Sequence, residues 1–488
     1  FAHGGCTGGA LMTSEVPVVD KGKQPNALLA AVMRQAGATN KGFARRVRER
    51  SQRDGGELVS ADHVSVKRWL DGTKPHPRTC QLIAAVLGEL LGRPVGLEEI
   101  GFGGAGESTS DDIGLEYPEE IAHSLVALGA ITELELRTPQ RVAPLSVVPE
   151  AWSGLLVRWL TDSDAEGSRP PSEPRSITLV DVEAVREATA MFSSFDYKYG
   201  GGRPKSLVAS FLDQEILPNI RHVSPQDAVG REYFREVAAL TRLAGWTAYD
   251  TGAHGLAQRY LTQAFRLAKA AGDKALCGRI LAGMSHQANF LGHFQRAVDL
   301  ARAAYKGANG YATPTTMALF HAMEARALAS LGRKEDVTAA LLTAERWHCQ
   351  GIRENDPEWI HYFDEAELHA EFAHCFRDLG DAELANHHAA ASIAASESTY
   401  VRSLSFCRTV LATSHLQGGN LEEALDVARS VVETAAKLKS FRVISYLDDF
   451  RGRLGGHAGD PLVKEFLDFA SIHLPSKNLP VSGRLVVA

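Results

Sequence analysis

The chain has 488 residues, too many for one ordinary hydrophobic core and enough for roughly two to four domains. Hydrophobic residues at 44% and charged residues at 23% describe a globular protein, and no apolar run approaches the roughly 18–20 residues of a membrane span. The net charge of −7 is unevenly spread: between Met12 and Ala105, Lys and Arg outnumber Asp and Glu by 14 to 10, so a basic N-terminal part precedes an acidic body. That layout suits a nucleic-acid binder.

Residues 1–25 read as a disordered extension. The first eleven are Gly-rich and lack the charged start and apolar core of a signal peptide. Met12 reads as a natural start and the residues before it as upstream or added sequence. The six cysteines, Cys6, Cys80, Cys277, Cys349, Cys375 and Cys407, form no C-x-x-C pair and are widely spaced, as expected of reduced thiols in a cytoplasm.

Residues 26–102 hold four predicted helices. The first, Asn26 to Gln35, puts Leu28, Leu29, Val32 and Met33 on one face. The second starts after Thr39-Asn40 and turns Phe43, Ala44 and Val47 inward, leaving Lys41, Arg45, Arg46, Arg48 and Arg50 outside. The third is predicted from a Ser60 cap to Asp71. Val66, Trp69 and Leu70 share its inner face, expected against the second and fourth helices. The fourth carries Leu82, Ile83, Val86, Leu87, Leu90 and Leu91 and ends at Gly92 and Pro94.

The third helix has the make-up of a recognition helix, with an apolar anchor behind and donors in front. Arg68 suits the O6/N7 edge of guanine, with His63 and Ser65 as contacts nearer the helix start. Lys67, Lys74, Arg45 and Arg46 suit phosphate. A basic helix alone is usually a solvated face; the four-helix pattern, the capped third helix and the W-L-x-G-x-x-P ending favour DNA. The segment from Gln52 to Val59 is longer than a tight helix-turn-helix connection.

Two stretches, Gly103 to Asp112 and Thr161 to Pro174, read as linkers. Between them, residues 113–160 form a small helical or mixed segment. Ile121, Leu125, Leu128 and Ile131 lie at near-helical spacing, and Arg141 to Val148 has the composition of a strand.

Residues 176–474 read as a helical repeat array. A Gly recurs at 252, 292, 332, 380 and 419, with spacings of 40, 40, 48 and 39. Five residues after each lie Ala257, Ala297, Val337, Ala385 and Ala424. Seven before each lie Gly245, Ser285, Ala325, Ala373 and Ala412. Small residues let antiparallel helices approach, and Gly permits a left-handed turn. This is the logic of tetratricopeptide hairpins, so a curved solenoid with a concave groove is expected. Residues 475–488 read as a tail.

In SVKRWLDGTKP (65–75), VEAVREATAMFSSFDYKYGGGRPKSLV (182–208) and LAGWTAYDTGAHGLAQRYLTQAFRLAKAAGD (243–273), the chain resembles actinobacterial regulators. These carry an Xre-like helix-turn-helix followed by tetratricopeptide repeats, the NsdA-type repressors of sporulation and antibiotic production among them. The likeness extends over most of 26–440. It implies a regulator of differentiation or secondary metabolism without catalytic residues.

Other signals are weak. YGGGRPKS (199–206) has Pro204 where a phosphate loop places Gly, and reads as an interhelical loop. His361 to Cys375 is rich in metal-ligand types, and Glu365 and His369 share a face, but no paired-ligand pattern supports a metal. His387-His388 reads as surface. No nucleophile pattern points to an enzyme.

The expectation is a mainly all-α chain: a helix-turn-helix domain followed by a tetratricopeptide-like α-solenoid. It would be a cytoplasmic, nucleoid-associated repressor that binds double-stranded DNA as a homodimer, with no cofactor, metal or membrane partner. The repeat groove would dimerise or take a peptide or protein ligand. The alternatives are an adaptor without sequence-specific DNA binding and a peptide-responsive regulator.

Overall fold

The computed structural model describes residues 25–53, 59–73, 75, 77–93, 95–97, 99–102, 112–139, 142, 145–161, 177–351 and 354–474. Every regular element among them is helical, as the sequence predicts. The chain divides into two compact units, Phe1–Ser108 and Thr109–Ala488.

The first unit holds α1 (Ala27–Gln35), α2 (Asn40–Arg53), α3 (His63–Leu70) and α4 (Pro77–Leu91). Leu29, Phe43, Val47, Val66, Trp69, Ile83, Val86 and Leu87 meet in one core, which Ile100 and Phe102 complete. Asn26 ties this unit together. Its Oδ1 caps α1 by accepting from Leu29 N (2.9 Å), its Nδ2 donates to the Ile100 carbonyl (2.9 Å), and its backbone N–H donates to Leu70 O (2.8 Å).

The third helix starts later than Ser60. Asp62 is the cap, accepting from Ser65 N at 2.7 Å. Residues before it are held in another way. Ser51 Oγ accepts from Val59 N (3.0 Å), Arg48 donates to the Ala61 carbonyl, and Ala61 is buried. These bonds hold 59–61 as a bridge between α2 and α3. Of the long connection noted in the sequence, 54–58 lie outside the described residues. α3 packs chiefly on α2.

The second unit begins with α5 (Ile121–Arg137), α6 (Pro149–Thr161) and α7 (Leu179–Tyr199). α8 (Lys205–Phe211) runs through one π turn, Leu212–Ile216, into α9 (Leu217–Ile220). Five hairpins follow: α10/α11 (Ala228–Asp250, His254–Ala270), α12/α13 (Lys274–Phe290, Phe294–Gly307), α14/α15 (Pro314–Ser330, Lys334–His348), α16/α17 (Glu365–Asp378, Ala382–Ala395) and α18/α19 (Val401–Gln417, Leu421–Ala435). α20 (Phe441–Arg453) and α21 (Pro461–His473) close the unit.

All five recurrent glycines sit at the tips of these hairpins with positive φ, from 69° at Gly332 to 84° at Gly419. Each tip repeats the same pair of bonds. Gly292 N donates to Asn289 O (3.1 Å) and His293 N to Ala288 O (2.9 Å), with the equivalent pair at Gly252, Gly332, Gly380 and Gly419. This is the Schellman ending, which satisfies the last helical carbonyls while reversing the chain. The flanking small residues are all buried. Ser285 Oγ donates to Ala297 O at 2.7 Å, and a Cβ on Gly245 would lie 2.8 Å from Leu261. Small residues there set the distance between the two helices of a hairpin. The one long spacing lies in the connection between α15 and α16, which holds the 3₁₀ turn Glu358–Ile360.

Two features were not expected. First, residues 112–161 belong to the core of the second unit: α5 packs on α11 and α6 on α13. The stretch read as a strand is no strand where described. Residues 145–148 run along α11, where side chains answer their backbone: Gln258 exchanges two bonds with Val148 (2.9 and 2.8 Å), and Arg259 donates to Ser146 O (3.1 Å). Those side chains take the place of a partner strand.

Second, the array closes on itself. Gly202 N donates to Lys439 O (2.9 Å), Lys439 N to Tyr199 O (2.9 Å), and Gly201 N to Asp250 Oδ2 (2.8 Å). A Cβ on Gly200, Gly201 or Gly202 would come within 2.9 Å of Lys439 or Asp250. The triple-Gly loop read as a simple connector is therefore the clasp between α7–α10 and the segment entering α20. In place of a wide open groove there is a small, partly open cavity.

Candidate functional sites

In the first unit, His63, Lys67 and Arg68 are exposed on α3, while Val66 and Trp69 are buried behind them. Gly72 ends the helix at φ 92°, with Thr73 N bonded to Arg68 O (2.8 Å). Arg45 and Arg46 are exposed on α2, Arg45 in a loose pair with Glu49 at 3.6 Å. Ser65 is half-buried. Its hydroxyl donates to Asp62 Oδ1 (2.8 Å), so its proton is committed to the cap. Lys74 lies outside the described residues. Arg48 is exposed and Arg50 half-buried, and both are engaged: Arg48 donates to the Ala61 carbonyl, and Arg50 meets Glu89 at 2.5 Å.

Asp62 was not singled out in the sequence. The Ser65 N–H and hydroxyl lower its pKa, so an exposed carboxylate marks the start of α3.

The second unit has its own site. The first helices of the hairpins, with α7 and α20, line a small, partly open cavity of ≈ 80 Å³. Charged and aromatic side chains line it: Asp196 and Tyr197 from α7, Arg242 and Trp246 from α10, Arg279 and His286 from α12, Tyr362 before α16, Glu367 and Glu371 on α16, Arg402 on α18 and Arg442 on α20.

Most of these charges are matched. Arg402 donates to Asp196 and stands 3.6 Å from Asp250. Arg442 lies 3.8 Å from Asp250 and packs over the rings of Trp246, Tyr249 and Phe406 at 4.6–5.2 Å, a cation–π cage. Arg326 meets Glu371 at 2.7 Å and Tyr446 Oη at 3.2 Å. His286 accepts or donates to Tyr249 Oη at 2.8 Å, and burial with Arg442 nearby holds its pKa well below normal.

Three groups differ. Arg242 has no ion pair or hydrogen bond among the described residues, and burial together with Arg279 pulls its pKa down to about 10. Arg279, 7% exposed, rests over the Tyr362 ring at 5.0 Å with its buried Nε unpartnered. The Glu367 carboxyl forms no ion pair with a described residue, and burial with Glu371 nearby raises its pKa to about 8 against the pull of Arg326 and Arg279. The sequence signal was present, since these are charged residues on the first helices of hairpins rich in small residues. It reads as a solvated face until the array is seen to close.

The metal-ligand-rich segment has another role. His369 Nδ1 meets His388 Nδ1 at 2.8 Å, and His388 stacks on Phe376 at 5.5 Å. His388, read as surface, is half-buried, and its pKa falls to about 4 through burial. His387 is exposed. Of the described cysteines, Cys80, Cys277, Cys375 and Cys407 are buried, Cys349 is exposed and all are free thiols.

No described helix is long and apolar enough to cross a membrane. No curated protein and no solved structure matches the chain. A family model described as the SP15 N-terminal domain matches residues 29–103, which is most of the first unit and none of the repeat array.

Proposed function

We propose that the chain is a sequence-specific DNA-binding regulator whose repeat unit senses a ligand. The observation that carries the reading is the adjacent Lys67 and Arg68 exposed on α3, neither paired with a described residue, with Val66 and Trp69 buried behind them. A helix so anchored holds its donors at a fixed height for a major groove, where Arg reads guanine and Lys takes phosphate. His63 at the helix start and Arg45 and Arg46 on α2 extend the basic surface. Repression, differentiation and secondary metabolism rest on the resemblance alone. A dimer reading two half-sites about one helical turn apart follows from the usual use of such helices.

Between the alternatives for the repeat unit, the clasp at Gly200–Gly202 favours sensing over scaffolding. An adaptor needs a long open groove, and this interior is a small recess of ≈ 80 Å³ lined by charged and aromatic side chains. The test is selection of bound duplexes from a random pool by the full-length chain, followed by titration of the winner with Arg68→Ala. An enriched motif whose preference Arg68→Ala weakens supports the reading; no enrichment at low salt refutes it.

A further inference from the structure

We infer that the interior of the repeat unit is a binding site for a small oxyanion, a carboxylate- or phosphate-bearing molecule, held between Arg242 and Arg279. The inference deepens the sensing role proposed above, and its consequence for DNA rests on that reading.

Guanidiniums withdrawn from water are retained when paired, because an unpaired buried charge is expensive. The other interior arginines obey this. Arg402 and Arg442 share Asp196 and Asp250, and Arg326 takes Glu371. In the neighbouring recess at the hairpin tips, Arg377 pairs with Asp378 at 2.5 Å and Arg453 with Asp449 at 2.9 Å. Arg242 and Arg279 alone among these form no ion pair with a described residue, although they line the same cavity and Arg279 helps to lower the pKa of Arg242. Two unpaired guanidiniums facing one space form the donor set that a carboxylate or phosphate accepts in forked geometry.

The surroundings fit an anion that carries more than its charge. Tyr362 supports Arg279 from behind, which orients the guanidinium. Tyr362 belongs to the long connection between α15 and α16, so the lengthened repeat supplies the backing of the site. Trp246 offers a half-buried ring for an apolar or aromatic portion. Glu367, kept largely protonated near neutral pH, adds a hydrogen-bond donor and no repelling charge. A bound anion would also join α10 to α12, the first two hairpins, and so link ligand occupancy to the shape of the array.

The test uses the full-length chain in chloride buffer of fixed ionic strength. Thermal shift and calorimetric titrations are run with inorganic phosphate and pyrophosphate in one arm, and with succinate and citrate in the other. Arg242→Gln and Arg279→Gln are compared with wild type and with the exposed control Arg346→Gln. At least one anion should bind saturably and raise the melting temperature. Either interior substitution should weaken that binding at least about tenfold, as expected for loss of a charge-assisted pair, and the control should not. Without anion, Arg242→Gln should melt no lower than wild type, because it removes a repulsion; that separates loss of the site from loss of the fold. The arm that responds tells phosphate from carboxylate. Absence of saturable binding in both arms overturns the inference, as does binding that survives both substitutions. DNA affinity is measured in parallel. Anion binding that leaves it unchanged keeps the site and refutes the sensing role, while failure to bind DNA at all refutes only the regulatory reading.

Discussion

Arg402, in the first helix of the fifth hairpin, donates to the carboxylate of Asp196 on α7, 206 residues away, and both side chains are buried. Burial pushes the Asp196 pKa up and the guanidinium pulls it back. With Asp250 beside it, the pair joins the two ends of the array from the inside, as the Gly200–Gly202 clasp joins them at the rim. Removing one partner strands buried charge. Arg402→Met should therefore lower stability by about 3–5 kcal/mol, and adding Asp196→Asn should recover part of the loss. Thermal melts of the two single variants and the double variant check this; independent, additive losses would show that the pair is not coupled.

The 112–161 wrap depends on close approach at one glycine. Trp159 Nε1 donates to Ala303 O at 2.9 Å, and a Cβ on Gly307 would fall 2.1 Å from that nitrogen. Gly307→Val should displace Trp159 and cost about 1–3 kcal/mol by overpacking. Pairing it with Trp159→Ala should make the added methyls harmless. The measurement is the melting temperature of each variant, with the double variant expected to lie no lower than Trp159→Ala alone.

The histidine contribution to stability should fall on mild acidification. His254 is buried among Tyr249, Phe290 and Phe441 with both ring nitrogens unpartnered, and burial followed by Arg442 lowers its pKa to about 4. His286 and His374 are shifted in the same direction, also chiefly by burial. A histidine with a lowered folded pKa contributes stability that is complete above its unfolded value near 6.5 and is lost as pH falls through the folded value. The histidine share of the stability, read from the melting temperature, should thus decline between pH 6.5 and about 4, against an opposite contribution from Glu367, whose raised pKa favours the folded state as pH falls. His254→Phe should flatten part of that slope, by at most roughly 3 kcal/mol. A slope unchanged by the substitution would mean that His254 takes no share.

Arg68 and Lys67 should separate on DNA. Arg68→Ala should lose about 1–3 kcal/mol of discrimination at one base pair. Lys67→Ala should weaken binding evenly across sequences and reduce the salt slope by about one. Titrations at several salt concentrations, on the selected duplex and its single-base variants, decide between the two roles. Equal effects of both substitutions on all duplexes would remove the base-reading role of Arg68.

Asp62 should prove necessary to the start of α3. Its lowered pKa means that capping is present above the ordinary carboxylate range and is lost as pH falls through the lowered value. Asp62→Ala should fray α3 and lower the melting temperature, whereas Asp62→Ser, another good cap, should largely preserve it.

Much of the fold was legible because it is local. The five tip glycines with their flanking small residues found all five hairpins, since each tip needs a positive φ within its own few residues. The α3 start was misplaced by a few residues because Ser60 and Asp62 are both good caps, and only the contacts of Arg48 and Ser51 with 59–61 select between them. The face of α11 was legible only in part. Gln258, Arg259, Gln263 and Arg266 have the composition of a solvent face, yet all are buried. They donate to backbone carbonyls of 112–148, as Gln263 does to Gly114 (2.8 Å) and Arg266 to Pro118 (2.9 Å).

By itself, then, the sequence determined the helices, their pairing into hairpins and the basic outer surface of α3, because periodicity, caps and turn glycines act over a few residues. The tertiary structure alone decided that the array closes, that 112–161 covers α11, and that Arg242 and Arg279 share an interior with no ion pair to a described residue. Burial and pairing of a charge depend on what arrives from far along the chain, and no local pattern encodes whether a polar face meets water, a backbone or a cavity.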